Sequence, residues 1–143
     1  MVLLIREIMR PEFLAVPPER DAASCVREMV ARHQGFVLVV EGGQTVGIAT
    51  EWDFMAKVLG AGRDPATVPI GEIASRPVRY VRADTPTLDV IEDMSHQGIR
   101  RMVVTDGQKT VGVVTAKDVF RAFRAYMDKV SSDIARLQSS TLP

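Results

Sequence analysis

A chain that carries two copies of one unit can fold only in ways that house both, and this sequence matches itself without gaps at an offset of 65 residues. The identical pairs are Ile5/Ile70, Glu7/Glu72, Ile8/Ile73, Val16/Val81, Met29/Met94, Val39/Val104, Gly42/Gly107, Thr45/Thr110, Val46/Val111, Gly47/Gly112, Thr50/Thr115 and Asp53/Asp118. These twelve fall within the 54 positions from 5 to 58, with conservative pairs such as Val26/Ile91, Glu28/Asp93, Glu41/Asp106 and Ile48/Val113 between them, so duplication is the economical explanation. A solenoid needs three or more stacked units. Two copies of so long a period point instead to a domain with pseudo-twofold symmetry.

Both copies change periodicity in the same order. Ala22, Cys25, Val26, Met29 and Val30 form one apolar stripe, which predicts an amphipathic helix over 22–33. Short β-branched runs at 36–40 and 45–49 flank Glu41-Gly42-Gly43-Gln44 and predict a hairpin, after which a helix starts beyond Thr50. The second copy predicts a helix over 87–96, strands over 101–105 and 110–114, and a helix from Ala116 onward. A short strand opens each copy, at 13–16 and 78–81, behind a helical turn. The predicted fold is therefore α/β, with two β-α-β-β-α repeats whose strands are buried on both faces. Predicted boundaries are 1–59 for the first repeat, 60–69 for a linker with two glycines and two prolines, 70–124 for the second repeat, and 125–143 for a helical extension and tail.

Composition narrows the function classes. Hydrophobic residues make up 46% and charged residues 25%, the balance of a globular chain rather than a disordered one. Lys+Arg 18 against Asp+Glu 18 gives no net positive field, which ranks nucleic-acid binding through Arg76, Arg79, Arg82, Arg100 and Arg101 last among the readings. No apolar run approaches a membrane span, and the opening run is broken by Arg6 and Glu7 too soon for a signal peptide, so a cytoplasmic location is expected. The single Cys25 reads as a small apolar helix residue. His33 and His96 read as helix-end residues with no ligands at metal spacing, no nucleophile elbow or Gly-rich phosphate loop occurs, and neither a metal site nor a catalytic residue is expected.

Each hairpin ends in one string, Gly47-Ile48-Ala49-Thr50-Glu51-Trp52-Asp53 and Gly112-Val113-Val114-Thr115-Ala116-Lys117-Asp118. An Asp just inside a helix can accept hydrogen bonds from both ribose hydroxyls, the Thr hydroxyl can reach ribose or phosphate, and the helix N-terminus offers free N–H groups to an anion. Thr-x-x-Asp is also a helix-capping signature that needs no ligand, and both readings stand open at this point. Trp52, between the two motif residues, is either a partner contact or a half-buried anchor.

This string, at a strand-to-helix junction in both copies, resembles the signature of the cystathionine-β-synthase (CBS) domain family, and the resemblance runs from about Ile5 to Phe123. It implies a paired-repeat module that binds AMP, ADP, ATP or S-adenosylmethionine between the repeats, forms dimers, and acts as a non-catalytic sensor for a partner protein. By this resemblance the main cleft holds Thr115 and Asp118, with Arg100 and Arg101 toward phosphate and Met9, Leu14 and Val113 toward adenine. The guanidinium fork suits phosphate, although ordinary solvated strand-end arginines are the plain alternative. A second, weaker cleft holds Thr50, Asp53, Ile48 and Arg79. The competing reading is a ligand-independent dimerisation or protein-interaction module. Past the repeats, Phe123, Met127, Val130, Ile134 and Leu137 alternate at four and three over about two heptads, the seam of a short coiled coil, so the C-terminal helix is expected to aid a homodimer, with packing of this tail against its own domain as the plain alternative, and 139–143 are expected to fray.

Overall fold

The computed structural model describes residues 2–140. The first repeat runs α1 (Ile5–Ile8), β1 (Ala15–Val16), α2 (Ala22–Arg32), β2 (Phe36–Glu41), β3 (Gln44–Thr50) and α3 (Glu51–Phe54), which widens into a π-type turn over Met55–Leu59. The second runs α4 (Ile70–Ile73), β4 (Tyr80–Arg82), α5 (Thr87–Gln97), β5 (Arg101–Asp106), β6 (Lys109–Thr115) and α6 (Ala116–Ser140). Each repeat forms a three-stranded sheet, ordered β1-β2-β3 and β4-β5-β6, in which a parallel pair precedes an antiparallel hairpin. Registers correspond under the 65-residue offset. Leu38 faces Ile48 and Val103 faces Val113, and both hairpins carry an irregularity at the same point. The turns depend on glycine, because Gly42 and Gly107 adopt φ of 60° and 63°.

The longer helices end as their sequences dictate. Asp21 caps α2 by accepting the Ser24 N–H at 2.8 Å, and the helix stops where His33 turns left-handed at φ 54°. Gly98 ends α5 in the same conformation. The opening strands are shorter than expected. The Leu14 N–H is taken by the Gln34 side chain at 3.1 Å, and paired strand in the first sheet begins only at Ala15. At the other end α6 is one continuous helix that includes Ser139 and Ser140, where fraying is predicted; 141–143 lie outside the described residues.

The repeats exchange their opening helices. Ile70 and Ile73 pack among Val16, Cys25, Met29, Val37 and Ala49 of the first repeat, while Ile5 packs among Val81, Val90, Met94, Val104 and Val114 of the second. At about 1.5–3 kcal/mol for each large apolar side chain buried, this exchange ties the two halves into one folding unit. A third cluster joins the sheets, with Phe36 and Leu38 against Val103 and Val113. Thr45 and Thr110, which are sequence equivalents, share a hydrogen bond between their hydroxyls at 2.9 Å. Equivalent atoms touch each other only near a symmetry axis, so the pseudo-dyad passes between them. No helix among the described residues is long and apolar enough to cross a membrane.

Candidate functional site

The exchange of opening helices builds the site. Beyond α1 the backbone of Arg10 pairs with Val113 in both directions, at 2.8 and 3.0 Å, and beyond α4 Ser75 pairs with Ile48 in the same way. Arg10 and Ser75 are equivalent positions, so each repeat lays one strand-like residue across the last strand of the other. Glycine at 47 and 112 permits the approach. A Cβ on Gly112 would stand 2.7 Å from the Arg10 carbonyl oxygen, and one on Gly47 would stand 2.9 Å from the Ala74 Cβ.

Both motif aspartates are buried, and both close a cap. Asp118 Oδ2 accepts the Thr115 N–H at 2.9 Å and the Thr115 hydroxyl at 2.8 Å. Asp53 Oδ2 accepts the same groups of Thr50 at 2.9 and 3.2 Å. The other carboxylate oxygens differ. Asp118 Oδ1 takes the Arg10 Nε at 2.9 Å, with Arg121 at 3.7 Å, whereas Asp53 Oδ1 takes the Ser75 hydroxyl at 3.1 Å and the Lys57 ammonium at 2.8 Å. Burial by itself would raise the Asp53 carboxyl; the Lys57 hydrogen bond and charge, the Thr50 N–H and the Ser75 hydroxyl outweigh it and hold the group below the usual carboxylate range.

Asp118 opens onto a cavity of about 550 Å³ between the repeats, whose lining includes Met9, Arg10, Arg32, His33 and Arg121. Glu12 and Gln34 complete its polar rim. Three guanidinium groups and two carboxylates give this space a net positive character. A second cavity, of about 540 Å³, lies between α2 and α3 and is lined by Val26, Val30, Glu51 and Phe54; it shares His33 and Gln34 with the first.

Of the residues predicted for the main cleft, Asp118 and Met9 line the first cavity and Thr115 holds Asp118 in place. Val113 is fully buried beneath its backbone pairing with Arg10, and Leu14 is buried with its carbonyl accepting the Leu38 N–H. Arg100 is exposed, and its carbonyl accepts the Ala116 N–H at the start of α6. Arg101 lies over the Phe36 ring at 5.7 Å, its Nε buried without a hydrogen-bond partner. Neither arginine lines the cavity. In the second group Thr50 and Asp53 are joined, Ile48 pairs with Ser75, and Arg79 is exposed with its carbonyl accepting the Val103 N–H. Trp52 is exposed. Arg10, Arg32, His33, Gln34 and Arg121 were absent from the sequence-based set. Arg121 was legible as the residue one helical turn past Asp118. Arg10 was not, because its role depends on the exchange between repeats.

Burial pushes the Cys25 thiol up to about 11, which keeps it protonated and unreactive near neutral pH. Among the described residues no group of three or more His, Cys, Asp or Glu side chains is placed to hold a metal ion.

The family model for the CBS domain matches residues 5–60 and 70–125. Protein MK0525 of Methanopyrus kandleri is 28% identical over 136 residues, which cover 94% of this chain and 69% of that protein. A protein with CBS domains from Burkholderia ambifaria superposes with a TM-score of 0.78 at 25% identity, covering 86% of this chain and 95% of that one. The CBS domain pair of protein MJ0100, solved in complex with 5′-methylthioadenosine and S-adenosyl-L-methionine, superposes with a TM-score of 0.77 at 26% identity, covering 88% of this chain and 99% of that one. With two matched segments that take in most of its length, and with both exchanged helices and both Thr-x-x-Asp caps in equivalent places, the chain belongs to the CBS domain family as a tandem pair.

Proposed function

We propose that this CBS pair binds an adenosine-containing ligand in the cleft at Asp118 and reports its occupancy to a partner protein, with no catalysis of its own. The observation that carries this reading is a buried carboxylate, held by groups from both repeats, at the wall of a cavity of about 550 Å³. Its Oδ1 atom meets Arg10, whose side chain is 42% exposed, so a ribose diol can take that position while the guanidinium moves toward a phosphate. Arg10, Arg32 and Arg121 line the cavity and take the phosphate role in this reading ahead of Arg100 and Arg101. That net positive lining favours AMP, ADP or ATP over the sulfonium of S-adenosylmethionine, while the ligands of the MJ0100 pair support the adenosine class as a whole. In this reading the Asp53 site is the weaker one, because two groups, Lys57 at 2.8 Å and Ser75 at 3.1 Å, hold the second oxygen of its carboxylate, against Arg10 alone within hydrogen-bond distance at Asp118.

A second reading has its own support. Both aspartates are satisfied by caps and ion pairs within the protein, as an interaction module that needs no ligand would require. Calorimetric titration with AMP, ADP, ATP and S-adenosylmethionine separates the two. The sensor reading expects saturable heat with a nucleotide in the wild type and in Asp53→Ala, and at least a tenfold loss of affinity, about 1.4 kcal/mol, in Asp118→Ala. Absence of heat and of any thermal shift with all four ligands supports the interaction module.

A further inference from the structure

The two motif aspartates draw their cations from opposite sources. At Asp53 the cation is Lys57, one helical turn further along the same repeat, and the exchanged segment adds only the Ser75 hydroxyl. At Asp118 the position equivalent to Lys57 is Ala122, which carries no charge, and the exchanged segment supplies the cation instead, as Arg10. The two cations are also held differently. Lys57 donates to the Ile73 carbonyl oxygen at 2.9 Å as well as to Asp53. Among the described residues the Arg10 guanidinium has Asp118 as its one hydrogen-bond partner, and its side chain lines the cavity beside Arg32 and Arg121.

Resting on the reading that an adenosine ligand enters this cleft, we infer that Arg10 determines its specificity: by exchanging its ion pair with Asp118 it selects ligands that carry both a ribose diol and a phosphate. The Asp118 side chain is 2% exposed, so its carboxylate does not turn to water when Arg10 leaves, and an arriving ligand has to bring hydrogen-bond donors to Oδ1. A ribose diol does so. The displaced guanidinium then lacks an anion, and a phosphate on the same ligand gives it one inside the same cavity. A nucleoside without phosphate satisfies the carboxylate but leaves the guanidinium with water in place of a buried charge. Free phosphate pairs the guanidinium but leaves the carboxylate bare. A ligand with both groups replaces both halves of the pair. Arg121 stands 3.7 Å from the same oxygen, outside hydrogen-bond distance, so it adds to the positive field without taking part in the exchange.

Calorimetric titration of the full chain with AMP and with adenosine, which differ by the phosphate alone, tests this role. The wild type is expected to prefer AMP by about 100-fold or more. Arg10→Ser installs the residue of the equivalent position and keeps the backbone pairing with Val113. It is expected to bind AMP about tenfold more weakly and adenosine about tenfold more tightly, because Asp118 no longer has a partner to give up. The gain for adenosine is the diagnostic part. A cation that only attracted phosphate would lose AMP and leave adenosine alone, which is the result expected of Arg121→Gln. Arg10→Met repeats the test with a side chain of similar length that neither donates nor carries charge, and thermal melts show which of the two variants is folded. An adenosine affinity that fails to rise in the folded Arg10 variants, or AMP and adenosine affinities that fall together, overturns the role of Arg10, while AMP binding by the wild type leaves the sensor reading standing. Absence of binding of either compound to the wild type and to both variants overturns the two together.

Discussion

Asp53 and Asp118 share a position in the repeat and a cap, yet they differ in what faces their second oxygen. Lys57 and Ser75 hold Asp53, and Arg10 from the exchanged segment holds Asp118. Because the folded Asp53 carboxyl sits below its usual range, its contribution to stability is complete above that range and is lost as pH falls through the lowered value. Asp53→Asn is therefore expected to remove part of the acid dependence, so that denaturant midpoints of wild type and variant converge below about pH 4. Unchanged curvature in the variant would show that Asp53 does not carry that slope. The residue-level pattern was legible wherever one copy could be checked against the other: the repeated string led directly to Thr50, Asp53, Thr115 and Asp118. One partner of each aspartate, Ser75 for Asp53 and Arg10 for Asp118, comes from the opposite repeat, and neither spacing nor composition records which segment crosses over.

Among elements, the hairpins were the easiest to read, since a glycine turn between two β-branched runs fixes both strands and register. The opening strands were harder. Their pairing is set by a parallel neighbour distant in sequence and by the Gln34 side chain, which takes the first N–H. The close crossing of the Arg10 segment over β6 gives Gly112 a role beyond turn-making. In Gly112→Ala the new methyl meets the Arg10 carbonyl oxygen at 2.7 Å and the Met9 Sδ at 2.8 Å, so a loss of about 1–3 kcal/mol in unfolding free energy is expected from urea titration. The same variant should loosen the strand bridge that carries Arg10 to Asp118. A fully stable Gly112→Ala would mean that the segment yields without cost.

At the scale of the whole molecule, two copies of one unit pack about an axis marked by Thr45 and Thr110, and the exchange of α1 and α4 makes each core depend on the other repeat. The pseudo-symmetry was legible from the 65-residue offset; the duplication itself is equally consistent with helices kept or swapped, and only the family resemblance set Met9 and Leu14 of the first copy beside Thr115 and Asp118 of the second. The swap makes the two clefts unequal: Arg10 stands where Ser75 stands on the other side, and three arginines line the Asp118 cleft. The central claim, that an adenosine nucleotide occupies this cleft, is tested most directly by following backbone amide resonances while AMP is added to the full chain. The account predicts saturable shifts centred on Arg10, His33, Gln34, Asp118 and Arg121, with the Thr50 and Asp53 amides moving later or not at all. Shifts centred on Thr50 and Asp53, or none at saturating AMP, would contradict it.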